Sequence, residues 1–488
     1  MPGRSLTPFL HSAYIVPSWG LVLEPLWARL QTISRVGRKT EYTGLNRKEG
    51  DMSQSLPSTT LVIFGVTGDL SRRYLLPALS EICQNSDIRA HLNILGVSRT
   101  EIKASDVLKN ATGILDRQFS VLRMDYSREN QYQRLREELE KLDTPQVIFY
   151  FAVPPETVLP IVDHLGEAGL NTSKYKLLME KPFGFDLDSS RKLIAQTNRH
   201  FKEDQIYRID HYLAKEMAQN IAVFLGSNVL FKDVWNKQFI EKIEIVVEES
   251  IGIEGRAHFY EQTGALRDIV QSHLLQLAAL TLMEPCPDVF DFSMMRSRRL
   301  AALKRLKIDD KQPVRTAQYI GYKEEADNPA SNVETFIALN LKSSDPKWQG
   351  VPIRLLTGKN LNQRLTEIRI FFRKAQAAQA NLLRLRVQPR EGIELDLWIK
   401  KPGYDEELQK LPLDFTYSQY FDRLPNAYEQ VIVDAIRSRS NLFASSQEVL
   451  ASWEILQPIL GKWRKDPILH QLYKPGSSSA EILESVVE

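Results

Sequence analysis

The segment YRIDHYLAKE, residues 207–216, crowds Arg208, Asp210, His211, Tyr212, Lys215 and Glu216 into ten positions. If the chain turns helical at Asp210, His211 and Lys215 stand four apart and Tyr212 and Lys215 three apart, so three heads share one face and could hold an anion. Asp210 would then point about a quarter turn away, free to orient another group. The same residues also fit a solvated helix start that pairs with itself. A second set lies in TGALRDIVQSHLLQLAALTLME, residues 263–284, which reads as a strongly apolar helix interrupted by Asp268 and His273. On an α-helix these two are roughly 140° apart and cannot face each other, so a carboxylate that orients His273 must come from elsewhere. Asp210 is the natural candidate. In that dyad the ring nitrogen away from Asp210 would take a proton from a substrate hydroxyl. A lone histidine in a buried helix is more often structural, and it is the surrounding motifs that point this one toward chemistry. Lys181, in MEKPFGFDL, is kept out of α conformation by Pro182 and projects from the carboxyl end of a strand, with a cis Lys181–Pro182 peptide as one option.

These side chains need a frame. From residue 59, short β-rich runs alternate with helical stretches: TTLVIFG then 69–84, LNILGVS then 101–117, SVLRMD then 128–142, QVIFYFAV then 155–168, YKLLMEK then 187–200. That order predicts a doubly wound parallel sheet covered on both faces, a Rossmann-like domain over 58–211. After 212 the pattern changes to long alternating runs at 239–250, 351–358, 365–374, 381–389 and 393–401, with helices expected at 214–225, 263–284, 425–437 and 446–461. The fold class is therefore α/β plus α+β. The second domain, 212–488, is built on a large, mainly antiparallel sheet with helices on one face. Residues 1–57 read as a poorly ordered extension, with a transit peptide or a later start at Met52 as the alternatives. No internal repeat is visible.

Where the first strand meets the first helix, LVIFGVTGDL places Gly65 and Gly68 so that backbone can approach a pyrophosphate at a helix N-terminus. The pattern is G-x-x-G rather than G-x-G-x-x-G, and an ordinary βα turn competes with this reading. The second strand ends in GVSRTE, with Arg99 where an NAD-selective enzyme carries an acid, which favours a 2′-phosphate and hence NADP over NAD; an exposed loop arginine is the bland alternative. YFAVPPE ends a further strand with Ala152, Val153 and Pro154, a rigid, donor-poor wall for the crevice or simply a good helix start.

Bulk numbers narrow the partners. The 63 basic and 61 acidic side chains among 488 residues leave only +2, so any positive potential is local and nucleic acid is not expected. No apolar run approaches a membrane span. Cys83 and Cys286 have neither metal nor disulfide spacing, in keeping with a reducing, cytoplasmic setting and no metal.

With these motifs assembled, the chain resembles the glucose-6-phosphate dehydrogenase family over roughly residues 59–465. GVTGDLSRRYLLP, GVSR, FAVPP, EKPFG, RIDHYLAKE, EGRAHFYEQTGALRDIVQSHLLQ, GKNLNQR and RVQP…KKPG follow one another in the family's order. The resemblance implies oxidation of D-glucose 6-phosphate at C1 to the 6-phosphogluconolactone with NADP, the first oxidative step of the pentose phosphate pathway. It implies His273 as base, Asp210 as its orienting acid, and Lys181 at the reacting end. His211, Tyr212, Lys215 and Lys359 would surround the sugar phosphate, and Glu249, Asp268 and Gln388 the sugar hydroxyls. The cofactor would be held by Gly65, Thr67, Gly68, Asp69, Leu70, Arg99, Ala152, Pro154 and Lys181. A homodimer or tetramer is implied as well. Tyr74 departs from the basic residue common at its position, and Leu365 from a lysine of some animal members. A second, structural NADP site thus keeps only Arg386 and Lys400 or Lys401 of its basic character. The alternatives are a non-catalytic sensor of NADP or sugar phosphate on the same scaffold, and a sister dehydrogenase for another sugar phosphate.

Overall fold

Strands that are apolar on both faces must lie in the middle of something, and the first sheet is made of them. In this computed structural model, which describes residues 56–109, 113–286, 294–374, 379–466 and 470–485, β1 (Thr59–Phe64) and β4 (Gln146–Phe151) are buried throughout. They pair in parallel with each other and with β2 (Leu92–Ser98) and β5 (Tyr175–Met179), while β3 (Phe119–Arg123) and β6 (Ile206–Ile209) flank them. One face packs Val62, Phe64, Phe149 and Phe151 against Ile161, Val162 and Leu165 of the helix Pro155–Glu167. The other packs Leu61, Ile63 and Tyr150 against Leu75 and Leu79, and also against Val431 and Ile432 of the helix Ala427–Ile436. Because all six strands run the same way, Gly65, Ser98, Ala152, Lys181 and Asp210 emerge at one edge, where ligands of open α/β sheets sit.

The second sheet takes β7 (Ile240–Glu248), β8 (Leu306–Ile308), β9 (Arg315–Tyr319), β10 (Phe336–Ser343), β11 (Ile353–Gly358), β12 (Leu365–Phe372), β13 (Leu382–Gln388), β14 (Gly392–Lys400) and β15 (Leu408–Thr416). With β17 (Gln471–Tyr473) its path runs β15-β14-β13-β12-β7-β11-β10-β9-β17, and β8 pairs with β10. It is mainly antiparallel, with β7–β11 and β9–β17 parallel. In β13, LLRLRVQ, leucines and valine turn inward while Arg384 and Arg386 turn out, the period-two pattern of a sheet with one buried face. The segment Leu266–Leu274 packs on β7 and β11 and the helix Glu216–Ser227 on β13, with Leu275–Leu282, buried at every position, packed against both. The remaining strand, β16 (Phe443–Ala444), joins the first sheet antiparallel to β6.

Four expected elements come out differently. The helix expected over 101–117 is reduced to Ala104–Val107 and a 3₁₀ turn Gly113–Leu115, the chain between including residues outside the description. The helix expected at 214 begins at Glu216, and Asp210–Lys215 forms turns instead. The first helix opens with a π-helical turn, Ser71–Leu75, before Leu76–Ile82. The stretch 263–284 is not one α-helix: Ala257–Ala265 breaks at Gly264, Leu266–Leu274 is π-helical, and only Leu275–Leu282 is α-helical. Strands β6, β8, β9, β10, β15, β16 and β17 went unforeseen, β8, β15, β16 and β17 being too short or too exposed to show a period. The extension 1–57 and Met52 lie, but for residues 56 and 57, outside the described residues.

Candidate active site

His273 and Asp210 meet. Nδ1–H of His273 donates to Asp210 Oδ1 at 2.7 Å, and both residues are buried. The same oxygen accepts the backbone N–H of Tyr212 at 2.9 Å. The segment after β6 turns rather than coils, and from that turn Asp210 faces His273, the separate group it was expected to orient. Burial alone would push the Asp210 carboxyl up, but the His273 ring, its hydrogen bond and Lys181 outweigh this and hold it at about 2. An ionised carboxylate only accepts, so Nδ1 keeps the proton and Nε2 presents a lone pair. Burial lowers the His273 pKa below the ordinary imidazole value, Asp210 opposes that, and Lys181 adds to it.

Lys181 reaches that lone pair. Its Nζ donates to His273 Nε2 at 2.8 Å, to the Asp268 carbonyl at 2.9 Å and to Ser272 Oγ at 3.3 Å, with Asp268 Oδ1 at 3.4 Å. The peptide before Pro182 is cis. Asp268 and His273 thus converge on one ammonium, although α-helical geometry puts them on different sides. The π-helical turn accounts for the change: i→i+5 hydrogen bonding stacks residues five apart over one another. Lys181 and Lys359 hold the Asp268 carboxyl below the ordinary range against the effect of burial.

The dyad borders a cleft. The Tyr212 ring stacks on His273 at 4.1 Å between centroids, and Tyr212, His211, Lys215, Glu249 and Gln388 all line a cavity of about 680 Å³. Lys215 converges with His211 and Tyr212 as expected, but through a turn closed by its own N–H donating to the Tyr212 carbonyl at 3.2 Å. His211 Nε2 lies 3.2 Å from Glu180 Oε2, and Tyr428 packs on its ring at 4.3 Å. Lys359 lies beneath this wall, nearly fully buried, with its ammonium 2.6 Å from Glu249 Oε2. Gln388 Nε2 donates to Thr366 Oγ1 at 3.0 Å. Arg364, Arg73 and Tyr428 also line the cleft and were not singled out beforehand, and Tyr74, noted above for standing where a basic residue is common, lines it too. Arg364 could have been, since it closes the quoted GKNLNQR motif; Tyr428 had no local signal, because its role depends on the helix Ala427–Ile436 folding back beside the first sheet.

The glycine turn fits a pyrophosphate. Gly65 has φ +81°, and a Cβ there would overlap the Ala152 carbonyl oxygen, so bare backbone is held against the strand-end loop. The N–H of Gly68 and the hydroxyl of Ser71 donate to the Gly65 carbonyl at 2.9 and 3.0 Å. Thr67 is half-buried between the glycines; Asp69 is exposed and pairs with Arg73 at 3.4 Å. Arg99 follows β2 with its guanidinium 5.6 Å from the Tyr126 ring centroid. A second hollow, about 230 Å³, runs from Leu70 past Val153 and Pro155 to Glu180 and Lys181, with Ala152 and Pro154 in the same loop. It connects the glycine turn to the lysine that touches the base. Arg386 and Lys401 are engaged with carboxylates, Arg386 with Glu367 and Glu394 and Lys401 with Glu407.

Two family models account for nearly all of the described chain: the glucose-6-phosphate dehydrogenase NAD binding domain over residues 62–220 and the C-terminal domain over 222–488. The chain belongs to the glucose-6-phosphate dehydrogenase family. The glucose-6-phosphate 1-dehydrogenase of Borreliella burgdorferi is 34% identical over 473 residues, covering 89% of this chain and 98% of that protein. The enzyme of Aggregatibacter actinomycetemcomitans is 37% identical over 445 residues, covering 82% and 90%. A glucose-6-phosphate dehydrogenase solved in complex with its substrate glucose-6-phosphate superposes with a TM-score of 0.81 at 30% identity, covering 88% of this chain and 98% of that one. The Rossmann-like first sheet and the larger, mostly antiparallel second sheet are those of the family, and the chain is an NADP-dependent oxidoreductase with glucose-6-phosphate dehydrogenase activity.

Proposed function

We propose that His273 is the base that takes the proton from the C1 hydroxyl of D-glucose 6-phosphate, yielding 6-phospho-D-glucono-1,5-lactone. The observation that carries this reading is the chain Asp210–His273–Lys181, closed by contacts of 2.7 and 2.8 Å beside the cleft. Asp210 fixes the tautomer and stabilises the ring once it is protonated. Lys181 donates to Nε2. The C1 hydroxyl takes that place, and the ammonium keeps its partners on Asp268 and Ser272 while turning toward the hydroxyl oxygen, where negative charge develops. The glycine turn would hold NADP, with Arg99 at its 2′-phosphate, and the bound cofactor would supply the acceptor for the hydride leaving C1. At the far end His211, Tyr212, Lys215 and Lys359, joined by Arg364, bind the sugar phosphate. Glu249, Asp268 and Gln388 hydrogen-bond the ring hydroxyls, a mode of recognition that rejects analogues lacking one.

Two wider readings belong here. The chain assembles as a homodimer, or as a tetramer made of two such dimers, through the outer part of the second sheet, where Leu397, Ile399, Leu408, Leu411 and Leu413 are exposed on β14 and β15. It works in the cytoplasm, a reading supported by two buried thiols, Cys83 and Cys286, that form no disulfide.

The test is an absorbance assay of NADPH formation with glucose 6-phosphate, repeated with NAD, for the parent chain and for His273→Asn. Turnover with NADP is expected in the parent, and a fall of about 10²–10⁴-fold in kcat with KM for glucose 6-phosphate within a few-fold in the variant. Comparable turnover in the variant would refute the base assignment.

A further inference from the structure

We infer that Glu334 is a positioning residue for this chemistry, its carboxylate capping the helix that carries Asp268 and His273. The inference rests on the catalytic roles proposed above. The π-helical segment Leu266–Leu274 starts abruptly after the break at Gly264, and Ala265 at its cap position has no polar side chain to offer. The cap comes from the segment ahead of β10. The backbone N–H of Leu266 donates to Glu334 Oε1 at 2.8 Å, and that of Ala265 donates to the Glu334 carbonyl at 3.0 Å. The free N–H groups of a helix start and its positive dipole end are where a carboxylate is most useful.

Gly264 explains how a distant glutamate can reach this point. It has φ +59°, and a Cβ there would stand 2.5 Å from Glu334 Oε1, so only glycine leaves room for the carboxylate. The site is also a costly one. Glu334 is 4% exposed, and among the described residues it makes no ion pair. Arg267, the cation facing it, directs Nε to the Phe185 carbonyl at 3.0 Å, and the Tyr260 hydroxyl from the preceding helix is the other titratable group nearby. A buried carboxylate without a counter-charge is ordinarily replaced by something apolar unless its position does a job.

The job follows from what the capped turn holds. Asp268 lies two residues past the capped N–H and grips Lys181 through its carbonyl and Oδ1, and Lys181 touches His273 Nε2. Without the cap the first turn frays, and Asp268 and Lys181 lose their register with the base. His211, Tyr212 and Lys215 hang from a different segment and stay in place. The phosphate contacts keep their grip, so loss of Glu334 falls mainly on turnover, the Asp268 hydroxyl contact being the one part of sugar binding it touches.

The experiment is steady-state kinetics with glucose 6-phosphate and NADP on Glu334→Ala, Glu334→Asp, Glu334→Gln and Gly264→Ala, each measured well below its own melting temperature. Glutamine keeps an acceptor oxygen at the same reach, aspartate is one methylene short, and the Gly264 variant evicts the carboxylate sterically. Expected are losses in kcat of tenfold or more for Ala, Asp and Gly264→Ala, KM for glucose 6-phosphate within threefold, and recovery to within threefold of the parent kcat for Gln. If Ala does not fold, Asp against Gln decides by the same ordering. The inference is overturned if Asp or Ala keeps kcat within twofold, if Gln loses as much as Asp, or if the loss falls on KM alone. A parent enzyme that turns over normally in the same assay keeps the catalytic reading separate from this outcome.

Discussion

His273 works as a base only while neutral, and its surroundings favour that form. Burial lowers its pKa, and the Lys181 ammonium 2.8 Å away adds to the effect, while Asp210 resists. The catalytic form is thus present at neutral pH and is lost only as the medium falls through a value below the ordinary 6.5. The acid limb of a kcat/KM–pH profile should accordingly lie below pH 6.5; a limb at 7 or above would contradict the burial argument. Asp210→Asn replaces an acceptor-only group with one that also donates, which permits the wrong ring tautomer, so kcat should fall at least about 10²-fold with the fold intact by circular dichroism. At the other end of the cofactor, Arg99→Ala removes a charge-assisted contact to a group that NAD lacks. KM for NADP should rise tenfold or more while KM for NAD changes less than threefold. Equal weakening of both would remove the 2′-phosphate role.

Among the elements, the glycine turn and the broken helix are the parts where backbone conformation decides function. Gly65→Ala would drive a methyl group into the Ala152 carbonyl at positive φ, and NADP binding measured by fluorescence titration should be lost or weakened by more than tenfold. Glu334 gives a stability prediction of its own. Burial raises its pKa to about 7, so the folded state binds a proton that the unfolded chain releases near 4.5. Its contribution is complete below pH 4.5 and is lost as pH rises through about 7, at up to about 1.4 kcal/mol per unit. Glu334→Gln should flatten the fall in denaturant-measured stability between those limits; an unchanged slope would show that other groups cause it. Both features also mark the limit of reading elements from sequence. The apolar run of 263–284 announces a helix but not how many residues it makes per turn, and the wider turn here brings Asp268 toward the side of His273.

For the whole molecule, the open question is what covers the outer part of the second sheet. On β12–β14 the outward positions are charged, with Arg384 spanning Glu394 and Asp396, whereas β15, an edge strand, leaves Leu411 and Leu413 in contact with solvent. An exposed apolar edge invites pairing with another copy. Leu411→Glu with Leu413→Glu should shift the mass measured by light scattering from dimer or tetramer to monomer while leaving the monomer folded; an unchanged assembly would place the interface elsewhere.

The sequence by itself determined the family, the alternation of strands and helices from β1 to β5 of the first sheet, and His211, Tyr212, Lys215, Glu249 and Gln388 of the cleft, because these are carried by local periodicity and contiguous motifs. RIDHYLAKE and the glycine turn could be read without any knowledge of what lies opposite them. Only the tertiary structure decided how Asp210 faces His273, why Asp268 joins them on Lys181, and that Glu334 and Tyr428 reach the site at all. Those contacts join positions far apart in the chain, through turns and a π-helical register whose energies depend on packing rather than on nearest neighbours, and no local pattern records them.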